Sequence, residues 1–253
     1  MKTAFITGAT SGIGRAVALR LAKEDFALIL TGRRNERLTA LKKELELNYD
    51  AKVLTLCFDV RVYKQVERAI DSLPDEWKTI DVLINNAGLA AGADPIHTAS
   101  ISDWEQMIDT NIKGLLYVTR LIAPGMVARK SGHIINIGSI AGRMVYPNGS
   151  VYCATKHAVR ALNEGMRMDF LPYGIRVTEV APGAVETEFS MVRFKGDKQR
   201  ADQVYQGFTP LVAEDIAEAI FCAMMQPPHV NIQDILIMPT AQANSSMIHR
   251  ENS

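Results

Sequence analysis

The sequence predicts an α/β fold: one parallel sheet with helices on both faces, in a single domain spanning residues 1–253. Two observations predict it. Short apolar, β-branched runs alternate with longer helical patterns along the whole chain, and the first of those runs leads straight into a glycine-rich turn and a helix. Composition agrees, because 253 residues with 47% hydrophobic and 22% charged side chains are enough to bury a full core.

Thr3 to Thr7 is the first strand. It runs into Gly8, Thr10, Ser11, Gly12, Ile13 and Gly14, a Gly-x3-Gly-x-Gly turn, and then into a helical pattern from Arg15 to Asp25. Glycines let backbone approach a pyrophosphate, and a helix N-terminus offers unpaired N–H groups and partial positive charge. The second strand, Ala27 to Thr31, ends in Gly32, Arg33 and Arg34, ahead of a helix from Glu36 to Glu46. A free ribose 2′-hydroxyl calls for an acid at that strand end, whereas arginine suits the extra phosphate of NADP. Val53 to Phe58 is the third strand and closes with Asp59 and Val60, where an adenine lies in a doubly wound sheet. After a helix near Tyr63 to Leu73, a strand from Asp81 to Ile84 ends in Asn85, Asn86, Ala87 and Gly88. That group suits gripping the neighbouring strands while leaving room for a ribose.

Ser102 to Ala123 reads as one long helix with Ser102 at its N-cap. Asn111, in its middle, is a poor helix former, and a buried amide needs partners such as a water or a backbone carbonyl. The strand His133 to Ile137 delivers Ser139 to its end. A long helix from Val151 to Leu171 then places Tyr152 and Lys156, four apart, on one face. A free tyrosine titrates near pH ~10, and an adjacent ammonium favours its phenolate, so Tyr152 reads as a proton donor and acceptor with Ser139 holding a carbonyl oxygen beside it. Pro172, Tyr173 and Gly174 stop the helix. A strand from Ile175 to Val180 leads to Pro182 and Gly183, residues 184–212 read as a substrate lid, Ile235 to Met238 is the last strand, and 240–253 is a polar tail.

Charge and composition exclude other classes. Lys+Arg and Asp+Glu both total 28, for a net charge of zero, without the basic excess expected of a nucleic-acid binder. No apolar run approaches the roughly 18 residues of a membrane span, and the N-terminus meets glycine too early for a signal peptide, so a soluble cytoplasmic protein is expected. Cys57, Cys153 and Cys222 read as buried small hydrophobes, and the five histidines show no metal spacing, so no metal site is assigned.

Together, Thr7-Gly8-x3-Gly12-x-Gly14, Asn86-Ala87-Gly88, Asn111, Ser139, Tyr152-x3-Lys156 and Pro182-Gly183 with Thr187 resemble the short-chain dehydrogenase/reductase family over essentially the whole chain. The resemblance implies a Rossmann-type fold and a catalytic tetrad of Asn111, Ser139, Tyr152 and Lys156. Tyr152 is then the acid/base, Ser139 orients the substrate oxygen, Lys156 binds the nicotinamide ribose and lowers the phenol's pKa, and Asn111 holds a relay water. Pro182, Gly183, Val185 and Thr187 join the cofactor residues. Further stretches, among them Thr31 to Leu38, Met107 to Asn111, Glu188 to Asp197 and His229 to Ile232, are similar to the branch containing serine 3-dehydrogenases, NADP-dependent 3-hydroxy acid dehydrogenases and sulfoacetaldehyde reductases. Their substrates are short anions, so a cation is expected in the pocket: Arg193 first, with Arg143 and Lys195 as rivals and Tyr146 beside it. The family implies a homotetramer or homodimer, and the tail is expected to reach a neighbouring subunit. A 3-oxoacyl-carrier-protein reductase, drawing its partner with Arg193, Lys195, Lys198 and Arg200, and an NADP-binding redox sensor without turnover are the competing readings. A serine hydrolase is not supported, because Ser139 lacks the Gly-x-Ser-x-Gly elbow.

Overall fold

The computed structural model describes residues 1–251; Asn252 and Ser253, the end of the tail, lie outside the described residues. Seven strands form one sheet: β1 (Lys2–Ile6), β2 (Phe26–Gly32), β3 (Val53–Cys57), β4 (Val82–Asn85), β5 (His133–Ile137), β6 (Arg176–Pro182) and β7 (Asp234–Ile237). Their order is β3-β2-β1-β4-β5-β6-β7 and every adjacent pair is parallel. The order reverses between β1 and β4, so the connections leaving those strands diverge and open a crevice at the carboxyl edge.

The helices are α1 (Gly12–Ala22), α2 (Asn35–Tyr49), α3 (Tyr63–Asp71), α4 (Ile101–Ile108), α5 (Leu115–Arg129), α6 (Ser150–Phe170), α7 (Phe189–Arg193), α8 (Lys198–Gln203) and α9 (Ala213–Met224). Alternate strand residues serve the two faces. Leu28 and Leu30 of β2 pack with Val17 and Leu21 of α1, Leu41 of α2 and Ile216 and Ile220 of α9. Ala27 and Ile29 join Val66 of α3, Val118 and Ile122 of α5 and Val159 of α6 on the other face. With both faces covered, the strands can be apolar throughout, and each fully buried Leu or Ile contributes about 2 kcal/mol.

Three expectations change. The helix expected from Ser102 to Ala123 is two helices joined by a π-helical turn, Asp109–Gly114, and its second half runs on through Pro124 to Arg129. The helix begins at Ile101 with Ser100 in the N-cap place, Ser102 pairing hydroxyl to hydroxyl with Ser100 at 2.8 Å. Helix α9 was not anticipated, although Ile216, Ile220 and Met224 recur at helical spacing and the Asp215 carboxylate accepts from Val212 N at 2.9 Å, fastening its first turn. The cysteines are corrected too: Cys153 is buried, but Cys57 and Cys222 are exposed.

Candidate active site

The strand ends converge on one cavity of about 480 Å³, lined from Gly8 and Arg33 at one end to Tyr152 and Arg193 at the other. At the first end the turn after β1 is packed so tightly that only glycine fits. A Cβ on Gly14 would overlap the Gly8 carbonyl and the Asn86 amide, and Gly8 sits at φ +67°. Asn86 Nδ2 donates to the carbonyls of Thr7 (2.9 Å) and Gly8 (3.2 Å), while the Thr7 hydroxyl accepts from the N–H groups of Asn86 and Ala87, so β4 grips β1 as its sequence suggests. Gly12 lies against Thr187, which closes the turn from above.

The two arginines after β2 have different surroundings. Arg34 donates to Thr10 and Ser11, each at 2.8 Å, and to Glu188 at 3.0 Å. Arg37, not picked out in the sequence, meets Glu188 at 2.7 Å. Arg33 is 54% exposed, and its guanidinium meets Asp59 only at 3.9 Å, which leaves it open to an incoming phosphate. Asp59 itself is engaged by Arg61 at 2.6 Å, an ion pair that holds its carboxyl below the usual range despite burial. Val60, Ala87, Gly88, Ile13, Pro182, Gly183 and Val185 line the cavity. A glycine cradle, flanking hydroxyls and an arginine cluster with no acid at the end of β2 fit a dinucleotide carrying a 2′-phosphate.

At the far end, Ser139, Tyr152 and Lys156 are all buried. The extended backbone of Ser139 starts a 3-10 turn, Ile140–Gly142, whose Ala141 N–H its hydroxyl caps at 3.1 Å. Lys156 Nζ donates to the Ile137 carbonyl at 2.8 Å, which pins its ammonium beside the end of β5. Burial pulls that ammonium down to about 8, and the Glu179 carboxylate opposes the fall. Tyr152 departs from expectation: burial, and next the Tyr146 phenol, push it well above the ordinary tyrosine value, with Ser139 and Arg193 drawing it back. The protein alone therefore keeps Tyr152 protonated instead of depressing it. Leu89, Ala90, Met107, Ala141 and Cys153 supply the apolar shell responsible, and Phe189 closes it edge-on at 5.7 Å.

Asn111 sits in the π-helical turn. Its Oδ1 accepts from Leu89 N at 2.8 Å, and its Nδ2 donates to the Leu89 carbonyl at 2.8 Å and to Thr155 Oγ1 at 3.0 Å. A backbone carbonyl is one of the two partners expected, and the widened turn lets a side chain reach sideways from a helix interior.

Of the three candidate cations only Arg193 faces the cavity. Its Nε donates to the Gly92 carbonyl and its Nη1 to the Tyr146 hydroxyl, both at 3.2 Å, leaving Nη2 without a protein partner among the described residues. Arg143 is paired with Asp234, and Lys195 with Asp103 at 2.8 Å. The described part of the tail makes contacts within its own chain. Gln242 Oε1 accepts from Ala184 N at 2.8 Å, Ser245 donates to the Val145 carbonyl, Arg250 to that of Val204, and Ser245 and Ile248 line the cavity. Leu89, Phe189, Tyr205, Gln242 and Ile248 are wall residues that sequence reasoning missed. Phe189 stood two residues after Thr187 and could have been found, but nothing in the tail's composition marks Gln242 or Ile248.

Comparison with known proteins agrees with this geometry. The family described as short chain dehydrogenase matches residues 2–198. The NADP-dependent 3-hydroxy acid dehydrogenase YdfG of Salmonella typhi is 50% identical over 97% of this chain and 98% of its own. Sulfoacetaldehyde reductase 2 of Chromohalobacter salexigens is 47% identical over 96% of each chain. A solved structure, the closed form of serine dehydrogenase complexed with NADP+, superposes with a TM-score of 0.92 at 47% identity, covering 98% of this chain and 100% of that one. With its seven-stranded Rossmann-type sheet, its glycine cradle and its buried Ser139, Tyr152 and Lys156, the chain belongs to the short-chain dehydrogenase family.

Proposed function

We propose that the protein transfers a hydride between NADPH and the carbonyl of a short anionic substrate, the semialdehyde partner of a 3-hydroxy acid such as 3-hydroxypropionate or serine, or sulfoacetaldehyde. The observation that carries the substrate class is Arg193, a guanidinium at the Tyr152 end of the cavity whose Nη2 donates to no protein group among the described residues. Its planar fork suits a carboxylate or sulfonate. The relatives named as 3-hydroxy acid dehydrogenase and sulfoacetaldehyde reductase support the same class.

The cofactor, when bound, supplies the hydride and the difficult chemistry. The chain's residues do the rest. Gly8, Gly12, Gly14, Thr10 and Ser11 cradle the phosphates, Arg33 and Arg34 take the 2′-phosphate, and Asp59, Val60, Asn86, Ala87, Gly88, Pro182, Gly183, Val185 and Thr187 complete the binding groove. Ser139 orients the substrate oxygen. Tyr152, kept protonated by its apolar shell, gives that oxygen its proton in reduction, and Lys156 holds a positive charge beside them. Asn111 fixes the π-helical turn against α6. Residues 184–212, with Phe189 on the phenol, act as a lid that excludes water.

The carrier-protein reductase reading is weaker than the sequence suggests. Lys195 and Lys198 are paired with Asp103 and Asp202, Arg200 stacks on Phe194, and Arg193 points inward, so the four residues do not form a basic docking face. A cytoplasmic location accords with the free, exposed Cys57 and Cys222, which suit a reducing compartment. Exposed Ile101, Ile108 and Leu116 on α4 and α5 support assembly as a homodimer or homotetramer, which light scattering would measure.

Initial rates by nicotinamide absorbance test the reading. NADPH and NADH would be compared against malonic semialdehyde, sulfoacetaldehyde and an acetoacetyl thioester, with serine, 3-hydroxypropionate and isethionate in reverse. Strong NADPH preference with one short anion dominating is expected. Turnover of the thioester alone would move the enzyme to the fatty-acid class, and no turnover at all would make it a binding protein.

A further inference from the structure

One level of the sheet is polar where its neighbours are hydrocarbon. Asn85, Asn136, Glu179 and Asp234 are register partners across β4, β5, β6 and β7, on the face that α5 and α6 cover. The amides of the first half are bonded to one another and to the helices: Asn85 Nδ2 donates to Thr119 and to Asn136, both at 2.9 Å, and Asn136 Nδ2 donates to Asn163 at 3.0 Å, with Asn85 Oδ1 left unpartnered among the described residues. The second half carries charge. Glu179 is 2% exposed with Oε1 unpartnered, and the Nε of Arg143 is buried and unpartnered as well, among the described residues. A buried carboxylate left half-satisfied is costly and calls for a reason.

Its position supplies one. The carboxylate presses on Gly138, where any side chain would overlap it, and Gly138 stands between Ser139 and Ile137, whose carbonyl receives Lys156. Arg143, at the end of the Ser139 turn, is paired with Asp234 and comes within 4.0 Å of Glu179 Oε2, tying that turn to β6 and β7. The charged groups facing Glu179 are therefore Asp234 from β7, Arg143 from the turn, and Lys156 and Arg160 from α6.

We propose that Glu179 is a positioning residue for this reaction: its carboxylate, packed against Gly138 beneath the Ser139 turn and beside the Arg143–Asp234 pair, holds that turn in place and is the counter-charge of Lys156. Burial and Asp234 lift Glu179 to about 7 while Arg143 opposes them, and Lys156 lies at about 8, held up by Glu179. The acid thus acquires its charge just below the pH at which the lysine would lose its own. The inference rests on the reading that a charged Lys156 is needed for turnover.

The test is the pH profile of kcat/KM for Glu179→Gln. At about pH 6, where the wild-type acid is mostly neutral, the variant should match wild type within about twofold. At about pH 8.5 it should fall about tenfold below, because losing the carboxylate moves the alkaline limb down by about a unit. A uniform loss at every pH, or no loss at any, overturns the proposal. Should the variant fail to fold, infrared spectroscopy of the wild type is the second measurement: a protonated carboxyl band should titrate close to neutrality and do so at lower pH in Asp234→Asn, and its absence overturns the proposal equally. Lys156→Ala separates the two readings. If it kept full activity, the role of Lys156 would fail. If it were inactive while Glu179→Gln gave a flat ratio, only the role of Glu179 would.

Discussion

Tyr152 and Arg193 are the side chains on which the proposed chemistry turns, and each gives a prediction. Tyr152→Phe keeps the ring that packs on Phe189 and removes the hydroxyl that carries the proton, so kcat should fall by a factor of about 10² to 10⁴ with NADPH affinity little changed by fluorescence titration. Arg193→Gln should raise KM for carboxylate or sulfonate substrates by roughly tenfold to a hundredfold, the equivalent of about 1.5–3 kcal/mol for a charged hydrogen bond, and barely affect kcat. Unchanged KM would remove Arg193 from the pocket. Two residues also show how far local spacing reaches. Tyr152 and Lys156 were legible from their four-residue separation, but the direction of the tyrosine's shift was not, because it is set by Leu89, Met107 and Phe189, which are distant in sequence.

At the scale of the element, the π-helical turn and the tail decide the shape of the site. Asn111→Ala strips three hydrogen bonds and leaves the Leu89 N–H and carbonyl buried without them, while the Thr155 hydroxyl keeps its bond to the Tyr152 carbonyl, so thermal unfolding should show a loss of about 2–3 kcal/mol together with reduced activity. A poor helix former in a helix interior was the sequence's signal of something unusual, but propensity could not say that the helix would widen. Removing residues 245–253 should raise KM for both cofactor and substrate without changing the mass of the assembly, since Ser245, Ile248 and Arg250 contact their own chain. A lighter assembly on light scattering would return the tail to a neighbouring subunit. The tail's contacts with its own cavity were not legible, because a polar composition is equally compatible with a strap over that cavity and an arm to another chain.

For the molecule as a whole, burial beneath the sheet sets the response to acid. His133 is 2% exposed, its Nε2 pairs with Thr178 at 2.8 Å, and burial drops it from 6.5 to about 3, with Arg176 adding to the fall. Between those values the unfolded chain binds a proton that the folded one refuses. The stability that neutral, buried His133 contributes is therefore fully present above about pH 6.5 and is lost as pH falls toward 3. His133→Asn, which can still meet Thr178 but does not titrate, should flatten the decline of Tm across that range, and an unchanged slope would show that other groups control it.

Much of the architecture follows from local chemistry that the chain carries in order. Apolar strands broken by amphipathic helices make a parallel sheet, glycine after β1 makes a tight turn open to the cavity, arginine after β2 lines the same cavity, and Tyr152 and Lys156 share one helical face. These depend on backbone periodicity and on residues within a turn or two of one another. Only the tertiary structure decided which cation is open to the cavity. Arg143 and Lys195 stood as rivals to Arg193 until packing placed Asp234 and Asp103 beside them. It also placed Glu179 under Ser139 and Gln242 over Gly183, contacts between segments about forty and sixty residues apart, which register and burial create and local pattern does not encode.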